Sequence, residues 1–141
     1  MKNMTMWRTD GASAAFVLRL VLGIVFLAHG YAKLFQMGIP AVGGFFGQIG
    51  IPLAMVAATI VTLLEFFGGI ALILGLFVRW AALLLAVQMF VALVWVHAKN
   101  GFFLTPEKMG FEFALTLIAG LVALALLGAG RWSLDKKMKK E

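Results

Sequence analysis

A single carboxylate interrupts the longest apolar stretch of the chain. From Leu53 to Val78, about 26 residues carry only one charge, Glu65, close to the middle. A run of that length and character forms a helix able to cross a bilayer whose hydrocarbon core is about 30 Å thick. At a rise of about 1.5 Å per residue, Glu65 lies about 18 Å from the Leu53 end, near the midplane. A carboxylate at that depth costs several kcal/mol unless it is protonated, paired or turned toward a polar cavity. Glu65 therefore needs partners.

The first apolar segment offers Arg19, His29 and Lys33. At 100° per residue these three fall within about 80° of one another on one helical face. His29 and Lys33 are one turn apart. Gln88 lies near the midpoint of the third apolar segment, at a depth similar to Glu65, and His97 marks its far end. Glu112 lies near the same end of the fourth. Together these seven residues, Glu65, His29, Lys33, Arg19, Gln88, Glu112 and His97, are the candidate ligand-binding set. An imidazole, an ammonium, an amide and a carboxylate inside one bundle can hydrogen-bond a polar ring and pass a proton. Blander roles compete. Arg19 can simply lock helices by pairing with Glu65 or a carbonyl, Lys33 can snorkel to the interface, and His97 can be an interfacial polar residue. His29, His97, Glu65 and Glu112 make a nitrogen–oxygen set on paper, but no HxxxH or ExxH spacing supports it, so no metal is expected. No phosphate loop, nucleophile elbow or dinucleotide fingerprint occurs.

The elements that must position these groups follow from composition. The chain is 63% hydrophobic and 13% charged, where a soluble domain is nearer half apolar and a quarter charged. It reads as an integral membrane protein with one transmembrane domain over residues 1–141 and no room for a separate soluble catalytic domain. The absence of cysteine removes disulfides, thiol exchange and thiolate-held clusters. A net charge of +6 points to anionic lipid headgroups rather than nucleic acid in so apolar a chain. The first apolar segment is long, contains Arg19 and lacks a convincing A-x-A site, so it reads as a retained helix and not a cleaved signal.

The expected fold is an all-α membrane protein: a four-transmembrane-helix antiparallel bundle with helices over about 12–35, 53–76, 80–97 and 106–127. Between the first two, the apolar run GIPAVGGFFGQIGIP predicts a short interfacial helix or re-entrant loop, with Pro40 starting it and Gly50 ending it. Thr105, Pro106 and Glu107 read as the start of the fourth helix. Ala58, Thr62, Gly68 and Gly69 share the Glu65 face and let a neighbouring helix approach. Residues 131–141 form a basic tail, read as a solvated helix end or frayed coil. Lys2, Arg8, Arg79, Arg131, Lys136, Lys137, Lys139 and Lys140 fall on one side, against Lys33, Lys99 and Lys108 on the other. The positive-inside rule then places both termini in the cytoplasm, in a cell inner membrane.

The runs RLVLGIVFLAHGYAKLF, GIP, EFFGGIALILGLFVRW, NGFF with GFEFALTL, and GAGRWSLD occur in this order. In that order they resemble the DoxX family over nearly the whole chain, from Arg19 to Asp135. The resemblance implies a small four-helix membrane protein. The family takes its name from a subunit of a thiosulfate:quinone oxidoreductase of an archaeal respiratory membrane. Other members are described as membrane partners of soluble redox enzymes. The positions it carries over are Arg19, His29, Lys33, Glu65, Arg79 and Glu112, with no agreed catalytic role for any of them. The expectation is a quinone- or small-molecule-binding subunit or partner of a redox complex. It would hold no intrinsic cofactor, with quinone as the candidate ligand, and its partners would be the bilayer, a soluble redox enzyme and further copies of itself. Two other readings stand beside it: a small-solute transporter, although no inverted repeat is seen, and a membrane scaffold docking a soluble partner through the basic tail.

Overall fold

A computed structural model describes residues 10–139. These residues form helices and turns, with one isolated antiparallel bridge between Leu104 and Met109. Helix α1, Gly11–Tyr31, starts at Asp10, whose carboxylate accepts from the Ala12 amide at 3.1 Å and the Ser13 hydroxyl at 2.7 Å. It widens into a π-helical stretch over Ala32–Met37 and stops at Gly38. Helix α2, Ile39–Gln48, has a proline in its first turn, as the sequence predicts. Helix α3 spans Ala54–Leu74. Gly75, at φ +72°, turns its end so that the Leu76 amide reaches Ala71 O at 2.9 Å. Helix α4, Val78–Ala92, runs on through a second π-helical stretch, Leu93–His97, and a 3₁₀ turn, Ala98–Asn100. Helix α5 covers Glu112–Leu127, and α6 covers Leu134–Met138.

Among the described residues, three continuous helical stretches are long and apolar enough to cross a bilayer: Gly11–Met37, Ala54–Leu74 and Val78–Asn100. Large apolar side chains such as Ile24, Ile60, Phe67 and Phe90 remain more than half exposed on their outer faces. Helices that are apolar all round and still expose such residues are suited to lipid, not water. α5 is apolar but shorter, 16 residues, or about 24 Å. In packing, α1 lies on α3, α3 on α4, α4 on α5 and α5 back on α1. Leu22, Phe26, Leu72, Leu85, Leu121 and Leu124 fill the centre. α2 covers the start of α3, with Val42 and Phe46 seated around Ala58.

One expectation is corrected. The fourth helix begins at Glu112, not at 106. Thr105–Lys108 is a turn closed by Thr105 N to Lys108 O at 2.9 Å, within a small hairpin that the Leu104–Met109 bridge extends. Pro106 is the second residue of that turn, and its fixed φ serves there as well as at a helix start. Of the two readings of the tail, its first part is a short, solvated helix, α6, and the chain leading into it is anchored. The Arg131 amide donates to Ala12 O, the Asp135 amide donates to Gly75 O, and Ser133 is buried.

Candidate functional site

Backbone contact between α1 and α3 sets the site. A Cβ on Gly30 would lie 2.3 Å from the Phe66 amide nitrogen, and one on Gly69 would lie 2.4 Å from that of Leu27. Only glycine allows these helices to come so close, and small residues at such crossings are how membrane helices associate. With Gly30 against Phe66, a side chain one turn further along α1 lies beside Glu65. That side chain is Lys33, in the π-helical stretch, and its ammonium pairs directly with Glu65 Oε2. From α4, Gln88 Nε2 donates to Glu65 Oε1 at 2.6 Å. Glu65 is 4% exposed. An ionised carboxylate only accepts, so the amide nitrogen of Gln88 must face it. Gln88 Oε1 is then left buried with no partner among the described residues.

This cluster forms one wall of a cavity of about 600 Å³. His29 and His97 also line it, and Phe26, Val61, Leu84, Met89 and Leu117 make much of the remainder. Phe45 and Phe46 of α2 close one side. The His29 ring lies 6.3 Å from that of Phe113. His97 Nδ1 is 2.9 Å from Met109 O, and a carbonyl only accepts, so Nδ1 carries the hydrogen. In the neutral ring Nε2 is then a free acceptor. Both π-helical stretches border this cavity, through Lys33 on one and Val96 and His97 on the other. Such widened turns recur at functional sites because they re-aim side chains within a helix.

Five of the seven expected residues thus share one cavity: Glu65, His29, Lys33, Gln88 and His97. Arg19 and Glu112 do not line it. Arg19 lies in the first half of α1 and donates to four carbonyls: Leu72 O at 3.2 Å, Ile73 O at 2.6 Å, Arg131 O at 2.8 Å and Trp132 O at 2.6 Å. Its guanidinium also lies 5.0 Å from the Phe16 ring centroid. Glu112 Oε1 instead accepts from the Leu104 amide at 2.8 Å and ties the hairpin to α5. Sequence reasoning missed Asp135, whose two oxygens take the Phe77 amide at 2.7 Å and the Val78 amide at 2.9 Å. It caps α4 from the far end of the chain, and the only hint was an acid ahead of four lysines in a basic tail. The aromatic wall from α2 was also missed. Among the described residues, no three His, Asp or Glu side chains gather to hold a metal ion.

The model of the family described as DoxX matches residues 14–98. The chain belongs to the DoxX family. Residues 14–98 of this DoxX protein include Lys33, Glu65, Gln88 and both histidines of the cavity. An uncharacterized protein of Haemophilus influenzae is 38% identical over 88% of this chain and 90% of its own length. An uncharacterized membrane protein of Mycobacterium tuberculosis is 33% identical over 93% of this chain and 85% of its own. A Bacillus subtilis protein named "Putative oxidoreductase CatD" is 34% identical over 84% and 82%. No solved structure matches the DoxX chain. Its helices and its relatives make it a membrane protein.

Proposed function

We propose that this DoxX protein binds a small, largely apolar molecule with polar ring oxygens, of quinone type, in the cavity beside Glu65. It does so as the membrane subunit or partner of a redox complex. The observation that carries the reading is Gln88 Oε1, a buried acceptor with no partner among the described residues, at the edge of a large apolar cavity. Leaving such an oxygen bare costs about 1–3 kcal/mol, which a ligand hydroxyl would recover. The cavity falls within the range of about 300–1,000 Å³ usual for small-molecule sites. The fit is chemical as well. A quinone's ring carbonyls accept, and Lys33 Nζ has N–H groups beyond the one given to Glu65. A quinol's hydroxyls donate, and Gln88 Oε1 and His97 Nε2 accept.

When bound, a quinone would supply two-electron, two-proton chemistry, with electrons arriving from a partner enzyme. The chain's own residues orient the ring between apolar walls, exclude water, and hold a proton between Lys33 and Glu65. The name of the Bacillus relative is consistent with a redox setting. In this reading α1, α3, α4 and α5 all cross the inner membrane. Both termini lie on the cytoplasmic side, and α2 rests at the opposite surface over the cavity mouth.

The test is direct titration of purified protein with a short-chain quinone and its quinol. Wild type should bind in the micromolar range. Gln88→Leu should weaken the quinol about tenfold, the loss expected for one hydrogen bond to a buried acceptor. No binding by wild type, or equal affinities for wild type and Gln88→Leu, would end this reading.

A further inference from the structure

A second large concavity lies at the opposite end of the bundle, independent of the cavity beside Glu65. It is a groove of about 820 Å³ between the start of α1, the α3–α4 turn, the end of α5 and α6. Three cations line it, Arg79, Lys136 and Lys139, against one carboxylate, Asp135. Both oxygens of Asp135 are already committed to the backbone of α4. Among the described residues, none of the three cations forms an ion pair. Arg79 lies in the first turn of α4, where the helix dipole disfavours positive charge, so the helix itself gains nothing from it. Its guanidinium is held at the groove wall over Gly128. There, a Cβ on that glycine would come within 3.3 Å of Nε and Nη2.

The depth of the groove identifies its occupant. α3 and α4 are both long and apolar enough to cross the bilayer, so the turn joining them lies at a membrane surface. Trp80, 69% exposed, and Phe77, 61% exposed, line the groove beside Arg79. An exposed indole in the first turn of a membrane helix sits at headgroup level. Cations beneath a lip of exposed aromatic side chains, at that depth, complement a phosphate attached to acyl chains. An acidic protein surface would match the charges and leave Phe77 and Trp80 unused.

We propose that this groove is a binding site for an anionic glycerophospholipid. Its phosphate is held by Arg79, Lys136 and Lys139, and its acyl chains lie along Phe77 and Trp80. The test uses the full chain in neutral detergent, with phosphatidylglycerol or phosphatidylcholine added, read by native mass spectrometry and by thermal unfolding. Phosphatidylglycerol should be retained and should raise the unfolding midpoint above that in phosphatidylcholine. Arg79→Gln should weaken retention about fivefold or more, the weight of one basic residue at an anionic headgroup. Because Arg79 also touches the end of α5, the Lys136→Gln/Lys139→Gln double variant decides the matter: it should fold as wild type and lose retention. Equal retention of the two lipids, or full retention by the lysine double variant, overturns the proposal. So does a midpoint shift produced by inorganic phosphate or by a polyglutamate peptide but not by phosphatidylglycerol.

Discussion

At the end that gathers the start of α1, the α3–α4 turn and the first part of the tail, buried and capping polar groups are closely matched. Arg19 reaches four carbonyls, Asp135 takes two amides, and Arg131 meets Asp10 at 2.7 Å. At the other end, among the described residues, Gln88 Oε1 has no partner, His29 forms no hydrogen bond, and Lys33 pairs only with Glu65. Burial does not separate the two ends, since Arg19 is 1% exposed and Glu65 is 4%. The difference is unused hydrogen-bonding capacity. The matched end is not perfect, because Arg19 Nε lacks an acceptor among the described residues, yet its side chain is fixed by four other contacts and by the Phe16 ring. One end holds the helices together. The other keeps polar atoms open beside a cavity, and that reserve is what a ligand would use.

The largest effect should come from Arg19→Leu, which strands four carbonyls at the matched end. Loss of stability on the order of 3–5 kcal/mol is expected, by reversible unfolding in mixed detergent. Arg19→Lys should recover only part of it, because an ammonium cannot fork toward two pairs of carbonyls. A loss under about 1 kcal/mol would erase the distinction between the ends. Next in size, Glu65→Leu leaves the Lys33 ammonium in an apolar wall and should cost about 2–4 kcal/mol. The double change Lys33→Met/Glu65→Leu should return to within about 1 kcal/mol of wild type, since apolar packing replaces a buried pair at little cost. Quinone binding should be weaker than wild type in that double variant, which lacks the Lys33 ammonium. If the double variant is as unstable as the single, the pair is a structural lock and the contrast falls.

The sequence made the open end more legible than the matched one. Glu65 announced itself as the one charge in a long apolar run, helical periodicity put Lys33 and His29 on a shared face, and depth matched Gln88 to Glu65. Arg19 shows where that reasoning stops. It shares the face of Lys33, but 14 residues separate them, about 21 Å along the axis, so angle alone misplaced it. Pro106 fits the first turn of a helix and the second position of a β-turn equally, and the hairpin's hydrogen bonds decided between them. Glu112 followed Pro106, because once α5 starts at residue 112 its carboxylate is drawn to the hairpin. The π-helical stretches leave no mark in local periodicity. Asp135 caps a helix that starts 57 residues earlier, a pairing that no local pattern contains.

Asp135→Ala tests the matched end more gently. It removes both side-chain acceptors from the first turn of α4 and should cost about 1 kcal/mol, the usual value of an N-cap. Asp135→Asn, with one oxygen left to accept, should lose less. Neither should change quinone affinity, because Asp135 lies outside the cavity. A clear loss of affinity in either variant would mean that the two ends are coupled.

The smallest expected effect belongs to Asp10. The Ser13 hydroxyl bonded at 2.7 Å does most to hold its carboxyl below the ordinary value of 3.8, against the opposing effect of desolvation. The Ser13 and Ala12 amides and the Arg131 charge help. The folded chain therefore binds this proton less readily than the unfolded one, and the stability it contributes is complete above the ordinary carboxylate range. That contribution disappears as pH falls through the lowered value. The unfolding midpoint of Asp10→Asn should lie slightly below wild type from neutral pH down to about pH 5, and the two curves should converge as acid is added. Added salt should narrow the gap further, since the Arg131 partner is half exposed and screened. A gap that widens in acid would mean that Asp10 is protonated more easily in the folded chain, and Asp10 would then be no part of the matched end.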